Sequence, residues 1–189
     1  RILEINRTLP AERKIRVISM STGWLPDMPG YYDLTAAAQE AKAEGMLVVS
    51  SNLSQVHGFS FHGLGRPPMA DPDLFQSYEP GLFWASSFYG HEGVPPDTLL
   101  IPMDSRTTAS PTGSGEYVFY RQGGWSWAIP YVAGVYALAV QADPSITPEQ
   151  FWSLALQTGQ TIGVEHEGQE KTLEKILDPT ALIQALKGG

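Results

Sequence analysis

From Val132 to Ala142 the chain presents apolar side chains on nearly every side of a helical wheel. A helix without a polar face cannot lie on a surface. It is expected at the centre of a fold, with other elements packed around it. That demands a layered architecture and enough chain to build it. The 189 residues, 42% of them hydrophobic, supply one domain of ordinary size or two small ones. Charged residues make up only 17%, which argues against disorder.

The first third provides strands for such a layer. Ile15 to Met20 is a short β-branched run that ends in Ser21-Thr22-Gly23. Leu34, Ala37, Ala38 and Ala41 recur at helical spacing, and Gly45 follows as a C-cap. Met46-Leu47-Val48-Val49 is a compact apolar strand. A helical crossover between two strands, one of them a continuous apolar run, implies parallel pairing with both faces buried. Residues 53 to 98 read as irregular, with Leu82-Phe83-Trp84-Ala85 as a strand among Gly, Pro and aromatic residues. Leu99-Leu100-Ile101 is a further buried strand, and Tyr117-Val118-Phe119-Tyr120 another. The last third reads as helical. Thr147-Pro148-Glu149-Gln150 is a capping box with Pro in the first turn, and starts a helix through about Gln157. Asp178-Pro179 starts a terminal helix ending at Gly188. The expected fold is α/β, a mostly parallel sheet with helices on both faces.

Charge and composition narrow the function classes. The formal net charge is −8 and the pI about 4.9, so the surface repels phosphate backbones and anionic lipid; nucleic acid and membrane are not expected partners. With no cysteine there are no disulfides, no thiolate catalysis and no Cys-based metal site. No apolar run reaches the length of a membrane span.

The most informative stretch is Gly123-Gly124-Trp125-Ser126-Trp127-Ala128-Ile129-Pro130-Tyr131-Val132-Ala133-Gly134. A serine sits where a Gly-rich turn becomes the apolar helix. Its hydroxyl faces the positive end of that helix, where developing negative charge is favoured. Pro130 is expected within the first turn, and Ala128, Ala133 and Gly134 allow close packing of the helix. Taken alone, Ser126 reads as a helix N-cap, since capping serines far outnumber nucleophiles. The segment resembles, however, the nucleophile signature of the subtilisin-like serine proteases (subtilases), Gly-Thr-Ser-Met-Ala-x-Pro-His-Val-Ala-Gly. Gly124, Ser126, Ala128, Pro130, Val132, Ala133 and Gly134 match it; Trp125, Trp127 and Tyr131 replace Thr, Met and His. Downstream, Ala142 to Pro148 is similar to the family's Asn-Pro-x-Leu-Thr-Pro connection, and Leu177 to Leu186 to its closing helix. Upstream, Val17 to Gly23 resembles the strand ending Asn-Met-Ser-Leu-Gly. Gly45 to Asn52 resembles the strand ending Ala-Ala-Gly-Asn, with Ser51 in place of Gly. Ile101-Pro102 is similar to the Ala-Pro-Gly strand end.

The resemblance runs from about residue 15 to the C-terminus and implies a serine endopeptidase acting on polypeptides. Ser126 would be the nucleophile and Asn52 the side-chain donor of the oxyanion hole. Ser21, Thr22 and Gly23, with Ser50 and Ser51, would line the substrate. Acyl transfer by serine also needs a base and a group that orients it. The family carries that Asp and His before the strand matched here to residues 15–20, and neither motif is found upstream of residue 15. Residues 1–189 therefore read as the C-terminal portion of one subtilase-like catalytic domain, with the triad Asp and His on an upstream segment. The in-chain histidines have simpler readings. His57 and His62 lie in a Gly/Phe-rich loop, His91 in a turn and His166 in an acidic loop; Asp71 and Asp73 read as a solvated turn. No cofactor is expected. Calcium is frequent in the family, but no ligand set carries over. The resemblance implies a secreted or extracellular setting.

Two other readings stand beside the active protease. Trp125 and Trp127 either narrow or block the cleft or fill core space, and the bulk of Trp125 beside the nucleophile points to a second reading, an inactive pseudopeptidase that acts as a binding or regulatory module. Alternatively, Gly124-Trp125-Ser126-Trp127-Ala128 resembles the nucleophile elbow of an α/β-hydrolase, with Asp143 and His166 following in the required order.

Overall fold

The structure, a computed structural model, describes residues 1–51, 58–90 and 94–188. A short helix, α1 (Ile2–Thr8), precedes strand β1 (Val17–Met20). Helix α2 (Tyr31–Ala43) carries the chain back to β2 (Leu47–Ser50), which pairs parallel to β1. Gly45, at φ 80°, makes the expected left-handed turn between them. The apolar run of β2 is buried on both faces. Met46 and Val48 face Ala38 and Ala41 of α2, while Leu47 and Val49 face the main core. Period-2 alternation between two covered faces is why the run looks continuous in the sequence.

A second sheet contains β3 (Ser60–Gly65), β4 (Glu79–Pro80), β5 (Thr98–Pro102), β8 (Gln160–His166) and β9 (Gln169–Ile176) in the order β4-β3-β5-β9-β8. Its two inner pairings, β3 with β5 and β5 with β9, are parallel. Its two outer pairings are antiparallel, so the sheet is mixed and the expectation of mostly parallel strands holds only in part. A separate hairpin joins β6 (Arg106–Ala109) to β7 (Tyr117–Tyr120).

Three segments differ from their sequence reading. The Gly/Phe-rich stretch beginning at Gly58 is largely strand β3, recruited by pairing from Ser60–Thr98 to Leu64–Pro102. Leu82 to Trp84 forms a turn, closed by the Trp84 amide on the Gly81 carbonyl at 2.8 Å, and leads into helix α3 (Ala85–Tyr89) rather than a strand. The last third also carries the β8–β9 hairpin between its helices.

The long helix α4 (Trp125–Ala142) packs across β1, β2, β3 and β5. Ala128, Ile129, Val132, Ala133, Tyr136 and Ala139 meet Leu47, Val49, Phe61, Leu99 and Ile101 in the main core. Among the described residues nothing covers one side of α4. Pro130, Gly134, Ala137 and Leu138 form an exposed stripe, with Leu138 half exposed. Gly134 is therefore no packing glycine; a Cβ there would meet nothing within 4 Å. Helix α5 (Pro148–Thr158) begins with the expected capping box, Thr147 Oγ1 accepting from the Gln150 amide and Gln150 Oε1 from the Thr147 amide. Helix α6 (Pro179–Gly188) is capped by Asp178, whose carboxylate accepts the Ala181 amide at 3.0 Å. Among the described residues no helix is long and apolar enough to cross a membrane.

Candidate active site

The parallel register pairs Met20 with Ser50, so the chain leaves β1 and β2 side by side at their carboxyl ends. Crevices at such strand ends are where α/β folds place ligands. The N-terminus of α4 arrives at the same place. Gly124 is the N-cap, in extended conformation at φ −161°, and Ser126 is the second helical residue. Its side chain caps no amide, so the N-cap reading does not hold. Ser126 is exposed.

Two hydrogen bonds join Ser126 to the end of β1. The Ser126 hydroxyl donates to the Ser21 carbonyl at 2.9 Å, and the Ser21 hydroxyl donates to the Ser126 carbonyl at 2.9 Å. One residue on, the Ser50 hydroxyl donates to the Thr22 carbonyl at 2.9 Å. Four of the expected site residues, Ser21, Thr22, Ser50 and Ser126, thus meet directly. Gly23 and Ser51 follow by chain continuity. Asn52, the expected oxyanion donor, lies outside the described residues, as do His57 and His91. The first amides of α4 lack intrahelical partners by helix geometry, and the Ser126 amide is among them. The positive end of the helix is therefore presented beside the hydroxyl.

The loop before the serine is held by a residue the sequence reading passed over. Asp104 is only 3% exposed. Its carboxylate accepts the Gly123 amide at 2.6 Å and the Leu82 amide at 2.7 Å, tying the end of β5 to the serine loop and to the turn before α3. A Cβ on Gly123 would run into the Met103 carbonyl, so the loop lies directly on the strand end. In the sequence the one signal was an acid just beyond Leu99-Leu100-Ile101-Pro102, which reads no differently from a surface turn residue.

The flanking tryptophans part. Trp125 turns to the edge of the core, with ring centroids 5.1 Å from both Phe61 and Trp84. Trp127 packs against Tyr120 at 4.7 Å. Tyr131, at the position of the family's His, is half-buried with the Arg106 guanidinium 5.2 Å from its ring centre, and burial pushes its phenol up to about 12. It does not serve as a base near neutral pH.

No described histidine is hydrogen-bonded to Ser126. His62 packs against Trp84 and Phe88, its Nδ1 buried without a partner, and burial pushes its pKa down from the usual value. Among the described residues no carboxylate is hydrogen-bonded to it. His166, at the end of β8, is stacked on Tyr89. Asp143 caps the far end of α4 from Ser126, roughly 25 Å away at ~1.5 Å per residue, and its carboxylate accepts the Ser145 amide and hydroxyl. A Ser126–Asp143–His166 triad is thereby excluded, and the four residues between β7 and α4 leave no strand running into the serine as an elbow requires. Asp71 accepts the Asp73 amide within its turn. Among the described residues no group of three or more His, Asp or Glu could hold a metal.

Comparison with known proteins bears on the fold. No family model and no curated protein sequence matches the chain. Among solved structures, the whole chain superposes on 70% of the patellamide maturation protease PatA, with TM-score 0.55 and 20% identity. It superposes likewise on 68% of the prenylagaramide maturation protease PagA, with TM-score 0.51 and 17% identity. A structure of the subtilase cytotoxin SubAB assembly matches over 99% of this chain and 63% of its own, with TM-score 0.59 and 12% identity. The fold is that of the subtilisin-like proteases, and the chain spans about two thirds of the length of those structures.

Proposed function

We propose that the chain is the nucleophile-bearing part of a subtilisin-like serine endopeptidase. The observation that carries this reading is the meeting of an exposed serine, at the N-terminus of a buried helix, with the carboxyl ends of two parallel strands. Ser126 Oγ attacks the scissile carbonyl, and its proton passes to a histidine on an upstream segment that also carries the orienting aspartate. The Asn52 side chain and the Ser126 amide hold the oxyanion. Ser21, Thr22 and Gly23 pair with the substrate backbone in the manner of an added strand, with Ser50 and Ser51 beside them. The likeness in fold to maturation proteases supports a polypeptide substrate.

A pseudopeptidase is the second reading. It is favoured by the Ser126 hydroxyl donating to a backbone carbonyl and not to a base. Labelling of the full-length protein with a fluorophosphonate separates the two. Phosphonylation forms a bond from Ser126 Oγ to phosphorus, expels fluoride and passes the proton to the base. An adduct mapped to Ser126 by peptide mass spectrometry, and absent in Ser126→Ala, supports the protease. No adduct in a protein shown to contain the upstream Asp and His overturns it and leaves the pseudopeptidase.

A further inference from the structure

Pro130 falls four residues after Ser126 inside α4. It has no amide hydrogen, so the Ser126 carbonyl is denied the bond that helix geometry would give it. The Ser21 hydroxyl fills that vacancy at 2.9 Å, from a position 105 residues away in the chain. The return bond, from the Ser126 hydroxyl to the Ser21 carbonyl, closes a ring of two hydrogen bonds between the end of β1 and the first turn of α4.

Each half of the ring fixes something different. The bond to the Ser126 carbonyl anchors the turn that carries the serine, at the point where proline has weakened the helix. The bond from the Ser126 hydroxyl selects one side-chain rotamer where an exposed serine would otherwise sample several. Ser21 is itself held. Thr22, its neighbour, has its carbonyl taken by the Ser50 hydroxyl, and Ser50 is buried in β2. The line of support therefore runs from the sheet through Ser50 and Thr22 to Ser21, and from Ser21 to Ser126.

We propose that Ser21 is the positioning residue of Ser126, replacing with its hydroxyl the helical hydrogen bond that Pro130 removes. What the positioned hydroxyl then does rests on the protease reading above; the compensation between Ser21 and Pro130 does not. The test has two independent parts in the full-length protein. The first is a double-mutant cycle in urea denaturation. Ser21→Ala raises the unfolding equilibrium constant by about fivefold when Pro130 is present, and by under about twofold in the Pro130→Ala background, where the new amide takes the carbonyl. Ser21→Thr keeps the hydroxyl and stays near wild type. The second is fluorophosphonate inactivation over a range of reagent concentrations. Ser21→Ala lowers the saturating rate by about tenfold with little change in half-saturation, and Ser21→Thr restores it.

Equal effects of Ser21→Ala in both backgrounds overturn the pairing whatever the labelling shows. A coupled cycle with an unchanged saturating rate in a reactive protein overturns the positioning role. A coupled cycle in a protein that never reacts upholds the pairing and sinks the protease reading instead.

Discussion

A Cβ on Gly123 would strike the Met103 carbonyl, whereas one on Gly124 would meet nothing within 4 Å, and Gly124 is in extended conformation open to any residue. Gly123→Ala is therefore expected to cost roughly 2–3 kcal/mol through displacement of the serine loop. Gly124→Ala should cost at most roughly 1 kcal/mol, the difference between the two residues as N-caps. Urea denaturation of the two variants decides it, and equal losses would mean that the loop does not rest on the strand end. His62 gives a second test at this scale. Burial holds its imidazole below the usual pKa of 6.5, so the unfolded chain takes up a proton there at higher pH than the folded one. Its contribution to stability is complete above about 6.5, declines as pH falls from there through the folded pKa, and levels off beneath it. In His62→Gln the difference in urea midpoint between about pH 7.5 and about pH 5.5 should be smaller than in wild type. An undiminished difference would place the titration elsewhere.

Strands β2 and β5 were legible as apolar runs because both faces of each are covered: Leu99 and Ile101 face the main core and Leu100 the smaller cluster beneath the β8–β9 hairpin. Strand β3 was not legible. Ser60-Phe61-His62-Gly63-Leu64-Gly65 has two glycines and little intrinsic strand preference, and it extends because β5 offers it a ladder. The β8–β9 hairpin was missed for a related reason. Only Ile162, Leu173 and Ile176 of its residues are buried, and its register is set by the Glu167–Gly168 turn, both residues at positive φ. Leu82-Phe83-Trp84-Ala85 failed in the opposite sense, an apolar run that forms a turn and a helix start, with Leu82 and Phe83 exposed and only Trp84 set against Trp125. Asp104 links the end of β5, the Leu82 turn and the serine loop through one carboxylate. Asp104→Ala would leave the Gly123 and Leu82 amides unpaired and is expected to cost about 2–4 kcal/mol. Asp104→Asn, which keeps one acceptor oxygen, should lose about half as much. Thermal and urea unfolding measure both; a neutral Asp104→Ala would show that the two amides find other partners.

On the scale of the molecule, it was the ordered set of matches to the subtilase family that implied which segments converge, with the strand ends and the helix start readable from the residues themselves. What it could not supply was contact between residues far apart in the chain, and the site consists of such contacts. Helix α4 is gripped at both ends by the residues flanking β1. At the near end stands the Ser21–Ser126 ring. At the far end Arg16 donates through its two terminal nitrogens to the Pro144 carbonyl at 2.7 Å and the Ile146 carbonyl at 2.8 Å, spanning 128 and 130 residues of sequence. A planar guanidinium can reach both carbonyls at once; an ammonium at the end of a shorter stem cannot hold that geometry. Arg16→Lys is accordingly expected to lower stability by about 1–2 kcal/mol, seen as a lower urea midpoint with unchanged slope. Because the far grip is about 25 Å along the helix from the serine, the same variant should keep the wild-type rate of phosphonylation at Ser126 under conditions where it remains folded. A fall in that rate, alongside retained folding, would show that the two grips act on the helix as one unit and that the serine turn is set from both ends.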